Sequence, residues 1–213
     1  MNTHLHVLEA YTNLLQVWPD DRLEKKLTEL IEVINNQVID SETYHFNLFF
    51  DQTWNCKSET VSYGHDIEGS WLLCESAEVL GNPDVLAKVK ETAVKMAETT
   101  LAKAVDEAGG IFYEGTKQEV VDTDKHWWPQ AEAAVGFLNA YQISKKDKFL
   151  EAAQQIWSFI EENIVDNESG EWFAKVDNKG QPEEQEAKIS PWKSCYHNTR
   201  ACLEIIERLE ALT

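Results

Sequence analysis

The chain has 213 residues, 43% of them apolar, and its 38 acidic against 19 basic side chains give a formal charge of −19. That is enough apolar material for a continuous core, and a charge that repels phosphate backbones and anionic bilayers, so nucleic acid and membrane surfaces are not expected partners. No apolar run approaches the ~20 residues of a membrane span and the first residues lack a secretory pattern, so a cytoplasmic protein is expected.

Apolar residues first recur at helical spacing through Leu5, Leu8, Tyr11, Thr12 and Leu15, and again through Leu23, Leu27, Leu30, Ile31 and Ile34. Trp18-Pro19-Asp20-Asp21 separates these two helices, with proline ending one and aspartate capping the next. Tyr44, Phe46, Leu48 and Phe50 alternate as in a strand, and the polar stretch 55–60 after them predicts a short hairpin. The same grammar returns twice. A helix over 64–80 stops at Gly81-Asn82-Pro83-Asp84, a second runs over 84–107, and Gly109-Gly110-Ile111-Phe112-Tyr113 follows. Helices over 127–142 and 146–164 flank a lysine-rich turn, Gly170-Glu171-Trp172-Phe173 reads as strand, and a last helix spans 195–211. The acidic stretch Glu183-Glu184-Gln185-Glu186 reads as a solvated loop. Four cysteines, Cys56, Cys74, Cys195 and Cys202, lack metal-ligand spacing and predict reduced, mostly buried thiols.

Spacing turns these elements into an array. His4 to His65 and His65 to His126 are steps of 61 residues, and His126 to His197 is one of 71. The unit is helix, outer helix, hairpin, repeated three times, with a fourth inner helix at the end. An all-α ring of paired helices with short β-hairpins between the pairs fits better than a straight solenoid. The reason is that the unusual polar residues fall at the N-terminal ends of the first, third, fifth and seventh helices, which alternation places on one side. The first helix offers Asn2, His4 and His6; the third offers His65, Glu68 and Trp71; the fifth offers Trp127, Trp128 and Glu132; the seventh offers His197 and Asn198, with Trp192 on its approach loop. A lone histidine near a helix start is more often a cap or a solvated residue, and a glutamate there can simply complement the helix dipole. Equivalent positions in several repeats favour a shared site. Eight tryptophans are many for this length; Trp18, Trp54, Trp157 and Trp172 are assigned to core or hairpin packing.

At these residues the chain resembles the N-acylglucosamine 2-epimerase superfamily and, within it, the cellobiose 2-epimerases. The likeness runs through 1–12, through Ser62-Tyr63-Gly64-His65-Asp66-Ile67-Glu68-Gly69-Ser70-Trp71, through Trp127-Trp128-Pro129-Gln130-Ala131-Glu132, and through Trp192-Lys193-Ser194-Cys195-Tyr196-His197-Asn198-Thr199-Arg200. It implies an (α/α)6 barrel of about twice this length, with residues 1–213 as one helical-repeat domain forming its C-terminal half. Met1 matches a methionine inside the family pattern, and a tyrosine and an arginine that the family uses to hold substrate belong to the other half. Cys195 stands where the family usually has proline, and Arg200 is assigned to the motif's scaffold.

The resemblance also implies a chemistry. Inversion at C2 of a reducing-end mono- or disaccharide needs an open-chain carbonyl and a base on each face of C2. His65 and His197 would be those bases and His6 would assist ring opening; Glu68 and Glu132 would orient imidazoles or bind hydroxyls, and Asn2 would hydrogen-bond the sugar. Trp71, Trp128 and Trp192 would stack on sugar faces, with Trp127 packed behind. No cofactor is expected, and no metal either, although His6/Glu9 and His65/Glu68 share a His-x-x-Glu spacing. Two other readings compete: a toroid glycoside hydrolase using Asp66, Glu68 and Glu132, and a half-barrel that binds carbohydrate without catalysis. The cut edge of a half ring, taken as Leu5, Leu8, Leu15 and apolar residues of the last helix, predicts self-association or pairing with an N-terminal half, and weak activity for the chain alone.

Overall fold

The computed structural model describes residues 1–183 and 185–212. Among the described residues there are seven α-helices: α1 Asn2–Val17, α2 Asp21–Val33, α3 Tyr63–Leu80, α4 Pro83–Ala104, α5 Trp127–Ser144, α6 Asp147–Phe159 and α7 Tyr196–Glu210. Their ends follow local chemistry. The Asp20 carboxylate accepts the Arg22 amide at the start of α2, and Asn82 accepts the amides of Asp84 and Val85 at the start of α4. Between α3 and α4 the chain turns at Gly81, whose φ of +70° suits glycine.

Successive inner helices α1, α3, α5 and α7 pack side by side, while α2, α4 and α6 stand behind the first three. Each outer helix leads into the same turn. A single antiparallel bridge follows at Ile39–Phe46, Val105–Ile111 and Val165–Trp172. The aspartate after the first bridge residue, Asp40, Asp106 or Asp166, then accepts two backbone amides of its own turn. The expected repeat is therefore present in detail. Where the sequence predicts a strand over 44–50, the chain is irregular, because Tyr44 takes φ +59° and breaks the alternation. The ordered strands lie elsewhere. β1 Thr60–Ser62, β2 Glu114–Thr116 and β3 Val120–Asp122 form one antiparallel sheet, and β4 Lys125–His126 pairs with β5 Lys175–Val176. β1 runs straight into α3 and β4 straight into α5, so these small sheets fix the entry of both central inner helices.

α5 is buried on every side from Trp127 to Ala140, as befits a helix with inner neighbours on both flanks and an outer helix behind. Contact between α3 and α5 is close, since a Cβ on Gly136 would meet Ile67 Cγ1 at 2.5 Å. No helix among the described residues is long and apolar enough to cross a membrane.

The edges differ from the sequence expectation. Leu5, Leu8 and Leu15 are buried, because they lie on the α1 face that packs on α3; Leu14 and Val17 are the exposed apolar residues of that helix. On α7 the expectation holds, with Leu203, Ile206 and Leu209 exposed along one stripe. Trp18 is exposed rather than packed, and Trp54 packs edge-on against Phe50 in the first hairpin. Cys56 and Cys195 are exposed and only Cys74 is buried. Glu183 and Glu186 are exposed, and Glu184 lies outside the described residues.

Candidate active site

The inner helix starts open onto one pocket of ≈ 590 Å3, within the range of small-molecule sites. α1 brings Asn2 and His6 to it, α3 brings His65 and Glu68, α5 brings Trp128, and α7 brings His197. Trp192 stands at the same pocket with most of its surface free. The expected funnel is therefore assembled. His4 is not part of it: its ring packs 5.9 Å from that of Trp54. His126, which the repeat spacing picks out, is the residue before α5 and stacks on Tyr113 at 3.8 Å, and both rings line the pocket.

Both expected bases pack on the Trp128 indole, the His65 ring centre at 4.7 Å and the His197 ring centre at 5.5 Å. Each is oriented through Nδ1. The His65 Nδ1 pairs with the Ser62 hydroxyl at 2.7 Å, and the His197 Nδ1 lies 2.7 Å from Glu132 Oε1. A carboxylate only accepts, so His197 donates from Nδ1 and its Nε2 is left free to take a proton.

Behind the imidazoles lies a hub of charge built from all four inner helices. Arg200 of α7 donates to Glu9 of α1 at 2.6 Å, to Glu68 of α3 at 2.8 Å and to Glu132 of α5 at 2.7 Å. The second oxygen of Glu132 accepts the Trp71 indole N–H at 3.0 Å. This corrects the expected role of Trp71. It is buried, and the Arg200 guanidinium sits 4.9 Å from its ring centre, so no sugar can stack there. Glu132 is likewise fully buried and serves the imidazole rather than a hydroxyl.

Asp66 faces away from the pocket, accepting from the Phe46 amide and paired with His45 Nδ1, both at 2.7 Å. It is thereby unavailable to the hydrolase reading. Glu68, Glu132 and His197 do bring three metal-ligand atoms within 4.8 Å of one another, a grouping that spacing along the sequence did not reveal. The cation that already joins both carboxylates is Arg200.

Electrostatics separate the histidines. Burial, reinforced by the positive charge of His197 and His6, pushes the His65 pKa down to about 4, so its ring is a neutral base near pH 7. The Glu9 carboxylate, 3.6 Å from His6 Nδ1, raises the His6 pKa above its ordinary value against the opposing effect of burial. Burial and the Glu132 charge push the Glu68 carboxyl up; burial acts the same way on Glu132, but His197 and Arg200 hold that carboxyl below the ordinary range. In a nitrogen-15 histidine NMR titration, His65 should therefore stay neutral until the pH falls towards about 4. His6 should gain its proton first, above its usual midpoint. A His65 midpoint at or above that of His6 would contradict this assignment.

Sequence reasoning missed the hub and the Tyr113/His126 pair. One signal was present: His6/Glu9, His65/Glu68 and His197/Arg200 share the same i, i+3 spacing, which puts each partner one turn below its histidine.

Residues 1–201 match the family model described as N-acylglucosamine 2-epimerase. A cellobiose 2-epimerase of Dictyoglomus turgidum is 43% identical over 98% of this chain and 53% of its own. The solved cellobiose 2-epimerase of Bacillus thermoamylovorans superposes with a TM-score of 0.92 at 41% identity, over 98% of this chain and 53% of that one. The chain thus spans about half the length of the relatives it matches. A glycoside hydrolase family 76 α-mannanase of Bacteroides thetaiotaomicron, with a TM-score of 0.65 at 16% identity over 95% of this chain and 59% of its own, shares the fold alone.

Proposed function

Because this chain belongs to the N-acylglucosamine 2-epimerase family, we propose that it carries the proton-transfer half of a sugar 2-epimerase, in which residues 1–213 form the C-terminal half of an (α/α)6 barrel. The observation that carries the reading is the pair of oriented imidazoles that pack on Trp128 and line one pocket. Two bases at one carbon are what inversion requires and hydrolysis does not.

In this reading a reducing-end sugar binds as its cyclic hemiacetal, and His6 gives a proton to the ring oxygen as the bond from C1 to that oxygen breaks, while the C1 hydroxyl loses its proton to solvent and the open-chain aldehyde forms. One imidazole removes the C2 proton, and the electron pair moves into the C1–C2 bond while charge gathers on O1. The other imidazole, protonated, returns a proton to the opposite face of C2, and the carbonyl re-forms. The two histidines exchange protonation states in each turnover, and solvent resets them. Glu132 holds the His197 ring through Nδ1 and fixes its orientation, as a buried carboxylate does for a catalytic histidine. Asn2 and Glu68 would bind sugar hydroxyls, and Trp128 and Trp192 would cover apolar sugar faces.

The other half of the ring would come from an N-terminal segment, and the exposed stripe of Leu203, Ile206 and Leu209 is a face it would cover. The test is chromatography of cellobiose incubated with this chain and the N-terminal half of a cellobiose 2-epimerase relative. The expected product is the disaccharide inverted at C2, in larger amount than with either half alone. Release of free monosaccharide without inverted disaccharide would contradict the reading and favour a hydrolase.

A further inference from the structure

The loop that brings Trp192 to the pocket is tied down by a buried lysine that the proton-transfer chemistry does not use. Lys193 is 1% exposed, its Nζ donating to Glu171 Oε1 at 2.8 Å and to the Lys188 carbonyl at 2.7 Å. The same Glu171 oxygen accepts from Asn198 at 3.0 Å, next to His197 in α7. Glu171 is held in place by an unusual backbone. Its φ is +64°, in the region that favours glycine, directly after Gly170 at +74°. A second tie lies a few residues earlier, where Lys188 pairs with Asp166 and the Gly170 carbonyl.

Between the two ties the chain folds into a tight turn. The Lys193 amide donates to the Ser190 carbonyl at 3.2 Å, and the Trp192 amide to the Ser190 hydroxyl, also at 3.2 Å. Trp192, the residue before the anchor, is 91% exposed. An indole so free of protein contacts owes its place to its backbone alone, and the nearest fixed point is Lys193. Lysine is almost never fully buried unless paired, and a loop that merely links β5 to α7 has no need of one.

We propose that the Lys193–Glu171 ion pair is a positioning device that holds Trp192 against the sugar pocket, so that Lys193, which stands in the pocket wall with its Nζ committed to Glu171, sets saccharide affinity through Trp192. This rests on the epimerase reading, in which Trp192 covers a sugar face. Binding energy from such a remote contact acts on KM more than on the proton-transfer step.

The test is Lys193→Met, with Lys193→Arg as the conservative control because a guanidinium can still donate to Glu171. In the unliganded chain, hydrogen exchange at the Trp192 and Lys193 amides should speed up about tenfold in Lys193→Met and less in Lys193→Arg. In the chain paired with an N-terminal half, KM for cellobiose should rise about tenfold with kcat within about threefold, the size of one lost aromatic contact. Unchanged amide exchange overturns the device whatever the sugar assay reads. Faster amides with unchanged KM, or a fall in kcat alone, overturn its link to binding. Should Lys193→Met fail to fold, Glu171→Gln carries the same two readouts. If the parent pair does not epimerise, the epimerase reading fails instead; cellobiose quenching of tryptophan fluorescence then decides, and an unchanged midpoint in Lys193→Met overturns the proposal.

Discussion

Replacing Arg200 by methionine should lower the melting temperature by roughly 6–20 °C, from a loss of about 3–5 kcal/mol and a shift of about 2–4 °C per kcal/mol in a chain of this size. The guanidinium serves three carboxylates on three helices, and two of them, Glu68 and Glu132, are almost wholly buried. Methionine fills much of the same volume but leaves those charges uncompensated, and a buried charge without its partner is far more costly than an exposed one. Glu9 should respond too. Burial raises its pKa, but the nearby His6 ring and the bonds from Tyr196 and Arg200 hold it at about 2, and losing Arg200 should move it back towards the ordinary range. Adding Glu68→Gln and Glu132→Gln to Arg200→Met should recover part of the loss, because the neutral amides no longer need a cation. A single variant melting within about 2 °C of the parent, by circular dichroism, would show that the hub is not a stabilising element.

The fold was legible because each repeat obeys the same local rules. Asp20, Asn82, Pro83 and Gly81 mark helix ends by their own chemistry, and helical spacing marks the inner faces. Which face of a terminal helix is free was not legible. Leu5, Leu8 and Leu15 are as apolar as Leu14 and Val17, and only the direction of α3 decides that the first three are buried. The alternation at 44–50 misled for a related reason. A period of two suits a strand only where a partner strand pairs with it, and here the segment is paired through two isolated bridges, Phe46 to Ile39 and Phe50 to Cys56.

At the site, the histidines were found from the spacing of the repeats and from family motifs, and Glu132 was expected to orient an imidazole or bind a hydroxyl, but the hub that joins it to Glu9 and Arg200 was not foreseen. Glu9, Glu132 and Arg200 lie far apart in the chain, and their meeting depends on the curvature of four helices. Trp71 was misread because an indole near a sugar site and an indole that donates to a buried carboxylate look alike in sequence; the difference is its depth.

Two bases acting at opposite faces of one carbon leave a distinct isotopic signature, which deuterium exchange reads. The chain, paired with an N-terminal half, would be incubated in heavy water with cellobiose or with its C2 epimer, and C2 followed by NMR. The parent pair should invert both sugars and place deuterium at C2 of each. In His65→Gln and in His197→Gln, inversion should fall by about 10²–10⁴-fold, because one face has lost its acid–base group. The remaining imidazole still reaches the epimer whose C2 proton faces it, so each variant should retain exchange without inversion on one sugar, and the two variants on opposite sugars. Inversion persisting at the parent rate in either variant, or exchange retained on the same epimer by both, would contradict the two-base assignment.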